Sequence, residues 1–214
     1  TTKDKEALLE VQILTKAKEN LEKNIPLRLV DFTDDEKFLM KHFSFLTLKP
    51  LIYVANVLED DVVLGENEYT KRVSEYASKE NASVIVMCCK MESELSELSD
   101  DDKKAFLKEL SIPNSGLDRL IFATYSLLGL ETFFTAGTDE CRAWTFKRGM
   151  NAKACAGLIH SDIERGFIKA EIMSFDDLHE YKNELKVKEA GKLRLEGKDY
   201  LMQDGDIVYF RFNV

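Results

Sequence analysis

The chain has 214 residues, of which 44% are hydrophobic and 32% charged, with a formal net charge of −9. That length suits one large domain or two small ones, and that composition suits a soluble globular protein and excludes a disordered one. No run of about 18 apolar residues occurs, so no segment reads as a membrane span, and the polar start Thr1–Glu6 lacks the apolar core of a signal peptide.

Residues 4–23 read as a helix, because Leu8, Leu9, Ile13, Ala17 and Leu21 recur at spacings of three and four and form one apolar stripe. Such a stripe must bury itself against another element, and no preceding helix is present to accept it. Asn24 and Pro26 end it. A second helix is expected from Thr33, with Glu36 completing a capping box, through Phe38, Leu39, His42 and Phe43 to about Phe45. His42 reads as a packed or surface histidine.

After the break at Lys49-Pro50, the continuous apolar run Leu51-Ile52-Tyr53-Val54-Ala55 predicts a strand buried on both faces of a parallel sheet, closed by Asn56. A helix at 67–80 and a second buried strand at 83–88 complete a strand–helix–strand unit, the rhythm of an α/β domain. Helices follow at about 100–110, with Asp100 as expected cap, and 115–127.

Beyond Gly129 the pattern changes. Segments 132–136, 141–146, 167–172 and 207–212 are β-branched and aromatic and predict strands. Ser161-Asp162-Ile163-Glu164 reads as a capping box with Gly166 as its stop, and Asp204-Gly205 as a turn. Residues 129–214 therefore read as an α+β module.

Four cysteines occur, Cys88, Cys89, Cys141 and Cys155, with no Cys-x-x-Cys pair. Cys88 and Cys89 are placed on a strand, where neighbours point to opposite faces and cannot readily share a metal. All four are expected to be buried, reduced thiols. Charge is uneven: residues 1–50 carry nine basic and nine acidic side chains, 51–128 carry 8 and 15, and 129–214 carry 13 and 15. The acidic middle repels a phosphate backbone, so any RNA contact falls to the C-terminal part, where Arg142, Lys147, Arg148 and Lys153 form the best basic patch. Four such cations also suit a solvated face. Trp144 and the strand aromatics suit either core packing or base stacking. His160-Ser161-Asp162 is no catalytic triad, because consecutive side chains diverge.

The most informative motif is Tyr53-Val54-Ala55-Asn56-Val57-Leu58-Glu59. It ends a parallel strand, where open α/β sheets place their ligands. An Asn amide both gives and accepts hydrogen bonds, the pairing that the N6/N7 edge of a purine requires; an Asn after a strand also serves simply as a turn residue. Cys88-Cys89-Lys90-Met91-Glu92 ends the next strand, where Lys90 could lie along a base or ribose; the alternative is a helix-initiating loop.

These two elements in this order resemble the Obg-like P-loop ATPases of the YchF/EngD type. Phe45-Leu46-Thr47-Leu48-Lys49-Pro50 leading into Asn56-Val57-Leu58-Glu59 is similar to the family's approach to its base-reading motif. Leu130-Glu131-Thr132-Phe133-Phe134-Thr135-Ala136-Gly137, Arg142-Ala143-Trp144-Thr145, Ile159-His160-Ser161-Asp162-Ile163-Glu164-Arg165-Gly166 and Asp204-Gly205-Asp206 resemble its C-terminal TGS domain. The resemblance implies a partial α/β P-loop-type parallel sheet with a helical coiled-coil arm, then an α+β β-grasp TGS domain. It implies three segments: 1–49, arm and connector; 50–128, the C-terminal part of the ATPase domain; and 129–214, the TGS domain. It also implies a cytoplasmic, ribosome-associated protein that hydrolyses ATP in preference to GTP, with Mg2+. Asn56, Val57 and Glu59 match the base-recognition motif, and Lys90 and Met91 match the following base loop. Val57 and Glu59 stand where GTPases carry Lys and Asp, which weakens the case for guanine.

One departure limits the chemistry. The family's phosphate loop is not in this sequence; Gly197-Lys198 is followed by Asp199, which would set a carboxylate against phosphate oxygens. The expectation is a piece of a larger protein that does not hydrolyse ATP by itself, with the helix at 4–23 as the returning half of the arm. Two readings compete with an ATP-hydrolysing parent: an RNA- or ribosome-binding module without nucleotide activity, and a GTPase.

Overall fold

The computed structural model describes residues 2–137 and 140–213. By contact the chain divides into two compact units, Thr1–Thr124 and Tyr125–Val214.

The first unit opens with α1 (Thr2–Glu22). Its stripe does find partners within the chain. Ile13 and Ala17 are buried against Leu27, Phe32 and Met40, which the turn at Asn24 (φ 57°) folds back onto the helix. The stripe is therefore narrower than its spacing suggests, and Leu8 remains 63% exposed. The next helix, α2 (Asp34–Met40), has the expected capping box between Thr33 and Glu36. It stops short of Phe45: a 3-10 turn takes over at Lys41–Phe43 and left-handed Ser44 (φ 52°) closes it. His42 lies exposed on this turn, 3.9 Å from Glu10.

Strands β1 (Ile52–Asn56) and β2 (Ser83–Met87) pair in parallel, in register from Ile52 opposite Ser83 to Asn56 opposite Met87. The expectation of burial on both faces is corrected: within these units β1 is half-buried and Val54 is 44% exposed. Between the strands lie α3 (Glu59–Leu64), which the sequence did not signal, and α4 (Glu68–Lys79). The Glu80 carboxylate at the end of α4 accepts from Arg28 at 2.6 Å and from the Tyr53 hydroxyl at 2.9 Å, tying the connector to β1.

After β2 come α5 (Cys89–Ser96), α6 (Asp100–Glu109) and α7 (Gly116–Leu128). Cys88 and Cys89 are thus not strand neighbours: Cys88 is the N-cap position of α5 and Cys89 its first residue. Cys88 and Cys155 are buried, whereas Cys89 and Cys141 are exposed, which corrects the expectation of four buried thiols. The cap of α6 is Ser99, not Asp100. Its hydroxyl accepts from the Asp102 amide at 3.3 Å, and the three aspartates fill the favourable first turn.

The second unit is built on β3 (Leu130–Ala136), β4 (Cys141–Lys147), β5 (Phe167–Ser174), β6 (Arg194–Glu196) and β7 (Asp206–Phe212). Their order is β4-β3-β7-β5-β6, antiparallel except for the β3–β7 pair. Alternation sends Phe133, Phe146, Ala170, Ile172, Val208 and Phe210 to one face, where Ala152, Cys155 and Ala156 of α8 (Ala152–Ile159) cover them. Small residues on α8 let the helix lie close to the sheet. Helix α9 (Ser161–Arg165) follows, but its cap is the His160 ring, which accepts from the Asp162 amide at 3.1 Å, rather than the Ser161 hydroxyl. A second cluster of Met173, Val187 and Ile207 is completed by residues from α10 (Phe175–Tyr181) and α11 (Glu184–Glu189).

Candidate nucleotide-base site

The carboxyl ends of β1 and β2 lie side by side because the strands are parallel and in register. The ladder continues one bond further, as the Val57 amide donates to the Met87 carbonyl at 3.0 Å. This fixes the main chain on either side of Asn56. The Asn56 side chain is exposed, and its Oδ1 accepts from the Cys89 amide at 2.9 Å. Among the described residues its Nδ2 has no protein partner. Oδ1 keeps a second lone pair, so one side chain presents a donor and an acceptor side by side.

Glu59 is exposed and opens α3, together with Asp60 and Asp61 in its first turn. Val57 is half-buried beside it. Lys90 is exposed on the first turn of α5, with its Nζ 3.8 Å from Glu94 one turn on. Met91 has a different place. Its side chain is 2% exposed and packs with Cys88, Leu95 and Leu107, which leaves its thioether no part in a base contact. The sequence could have warned of this, since Met91, Leu95 and Cys88 fall on one helical face once the helix is started at Cys89. Sequence reasoning missed the Cys89 amide, because a backbone donor leaves no residue signature.

The basic patch does not assemble into one surface. On β4, Arg142 and Lys147 lie an odd number of residues apart and so face opposite sides of the sheet. The Arg142 guanidinium lies 4.2 Å from the Trp144 ring. Arg148 pairs with Glu131 at 2.7 Å, and Lys153 is exposed on α8. Trp144 itself packs partly against the core, and its ring N–H donates to the Thr135 hydroxyl at 3.0 Å. Gly197-Lys198 sits at the end of β6, before Leu201 bridges to Asn151. Among the described residues no group of three or more His, Cys, Asp or Glu side chains could hold a metal, and no helix is long and apolar enough to cross a membrane.

Residues 130–213 match the family model YchF-GTPase_C, described as "Protein of unknown function (DUF933)". The chain is 55% identical over 213 residues to the "Ribosome-binding ATPase YchF" of Bacillus subtilis, covering 99% of this chain and 58% of that protein. The chain belongs to the YchF family. A second relative named "Ribosome-binding ATPase YchF", from Pasteurella multocida, is 50% identical, again over 99% of this chain and 58% of its own length. The YchF fold is also seen in "Structure of the Schizosaccharomyces pombe YchF GTPase", at 33% identity and a TM-score of 0.81, covering 94% of this chain and 54% of that one. The chain thus spans a little over half the length of the YchF relatives it matches.

Proposed function

We propose that this chain is the C-terminal portion of a ribosome-associated, cytoplasmic P-loop ATPase, and that Asn56 reads the purine base at the carboxyl edge of β1. The observation that carries this is the state of the Asn56 amide. It is exposed at the end of a parallel strand, its Oδ1 is held by the Cys89 amide at 2.9 Å, and its Nδ2 is left for a ligand. Nδ2 donates to N7 of adenine, and the second lone pair of Oδ1 accepts from N6. Val57 supplies an apolar edge, and Glu59, one methylene longer than the Asp of a guanine-specific protein, displaces the carboxylate from the place where it would accept from N1 and N2 of guanine. ATP is therefore the preferred ligand and GTP the competitor; the relatives themselves carry both ATPase and GTPase names. Lys90 lies along the base or ribose.

Phosphoryl transfer needs a phosphate loop, Mg2+ and a water-orienting group. None of these, Mg2+ ligands included, is assigned to residues of this chain, so the 214-residue chain alone is not expected to turn over ATP. Residues 1–49 are read as arm and connector, and 129–214 as a β-grasp TGS module that contacts the ribosome.

The test compares ATP and GTP affinity in a full-length protein carrying this segment. Asn56→Ala is expected to weaken ATP binding about tenfold or more, because a purine edge is left unpaired. Unchanged ATP affinity in that variant refutes the base-reading role.

The second reading is a ribosome- or RNA-binding module without nucleotide activity. It is favoured by the continuous core of the second unit, whose described members run from Phe133 to Phe210. Ribosome co-sedimentation by the 214-residue chain, with no measurable ATP binding, would select it.

A further inference from the structure

The base-reading geometry depends on where α5 begins, and α5 has no side-chain cap of its own. What holds it is α7. The half-buried Glu92 carboxylate, three residues after Cys89 and on the same helical face, accepts from the Gly116 amide at 2.6 Å and from the Leu117 amide at 3.2 Å. Ser115 completes the count, its hydroxyl accepting from the Asp118 amide at 3.0 Å and its carbonyl from the Arg119 amide at 3.2 Å. Three of the amides that a helix start leaves open, those of Gly116, Leu117 and Asp118, are thus satisfied, two of them by one residue of another helix.

The same turn grips β2. Arg119 donates from Nη2 to the Val86 carbonyl at 2.7 Å, one residue before the Met87 carbonyl that receives Val57. Gly116 makes this approach possible, because a Cβ there would lie 2.6 Å from the Met87 Cβ and 2.8 Å from Glu92 Oε1. The start of α7 is therefore pressed against the end of β2 and the first turn of α5, the two segments that flank Asn56.

We propose that Glu92 is a positioning residue for purine recognition: by clamping the first turn of α5 to the start of α7, it holds the Cys89 amide where it orients Asn56. Glu92 does not touch the base; it acts through Cys89. This rests on the base-reading role proposed for Asn56, and the two can fail separately.

The experiment uses a full-length protein carrying this segment, with Glu92→Ala, Glu92→Gln and Asn56→Ala. It measures affinity for ATP, GTP and inorganic tripolyphosphate, and hydrogen exchange at the Cys89 amide. Glu92→Ala is expected to weaken ATP binding about tenfold, leave tripolyphosphate binding unchanged and speed exchange at Cys89. It is also expected to narrow the gap between ATP and GTP. Glu92→Gln keeps one acceptor oxygen and should recover part of each effect; it also serves if the alanine variant does not fold. A variant that melts earlier yet keeps its ATP affinity and its Cys89 protection overturns the proposal and makes Glu92 a structural cap only. If Asn56→Ala leaves ATP affinity intact, the purine reading fails, while Cys89 exchange still decides whether the clamp exists.

Discussion

The two compact units differ in how their apolar residues are used. In residues 125–214 most burial falls in one large cluster, from Phe133 on β3 through Ile172 and Phe210 to Ala156 on α8 with Met202 closing it, beside the smaller group of Met173, Val187 and Ile207. In the first unit burial is divided between two small clusters, one around Ile13 and Phe32, the other around Met91 and Leu107. Between them lies a parallel strand pair that is only half-buried, and Phe122 on α7 stays 77% exposed. Parallel strands normally lie covered on both faces. The second unit is organised around its own interior, whereas the first carries the β1–β2 carboxyl edge on a sheet with much of its apolar surface open.

The strongest way to break that contrast is a matched pair of truncations. Phe133 touches Trp144, Phe146 and Phe210, with ring centroids 6.5, 5.9 and 6.1 Å away. Phe133→Ala should cost about 3–5 kcal/mol and unfold the second unit as a whole. Ile13→Ala should cost about 2–4 kcal/mol but release only α1 and the 27–48 segment, leaving the β1–β2 pair and the α5–α6 cluster protected. Residue-resolved hydrogen exchange separates the two patterns. Loss of protection throughout 1–124 in the Ile13 variant would show that the first unit also has a single cooperative core.

A smaller effect sharpens the same point at one helix end. Thr33→Ala should cost about 1 kcal/mol, all of it local to α2. The reciprocal half of this cap is pH-sensitive. The Thr33 amide donates to Glu36 at 2.7 Å, and with help from Lys16 it holds the Glu36 carboxyl below its usual 4.5. A lowered carboxylate stabilises the fold above its unfolded value, and that contribution disappears as pH falls below 4.5 through the lowered folded value. Protection of α2 should therefore weaken with acid in that window, and Glu36→Gln should flatten the dependence. An equal acid response in the Glu36→Gln protein would remove Glu36 as its source.

How much of this was legible in the sequence follows from the range of the interactions. The Thr33–Glu36 box, the β1–α4–β2 rhythm and the four long strands of the second unit are local patterns of period or capping, and they stand where the sequence put them. Helix α3 was missed because Glu59–Leu64 is short and carries no side-chain cap signal at Leu58. Strand β6 was missed because its three residues are defined by their partners on β5. At the candidate site, Asn56 was legible because it ends an apolar run. The Cys89 amide and the Glu92–Gly116 contact were not, since each joins segments 24 or more residues apart through a main-chain group. Met91 was misplaced for a related reason: its spacing to Cys88 and Leu95 marks a buried helical face only once α5 is started at Cys89.

The cysteines turn the contrast between the units into a measurement with almost no energetic perturbation. Cys89 and Cys141 are exposed and should react promptly with an aromatic disulfide reagent, whereas Cys88 and Cys155 should wait for their surroundings to open. Each slow thiol reports one unit, Cys88 the α5–α6 cluster and Cys155 the sheet–helix core. Burial, and then the negative charge of Asp206, pushes the Cys155 thiol up to about 12, so the folded unit contains almost no thiolate there at neutral pH. In a denaturant titration Cys88 should become reactive first, because it lies in the smaller cluster and the more open unit, and Cys155 last. Simultaneous release would mean that the chain unfolds in one step. Release of Cys155 before Cys88 would reverse the ranking of the two interiors and remove the physical basis for treating the first unit as the less self-sufficient of the pair.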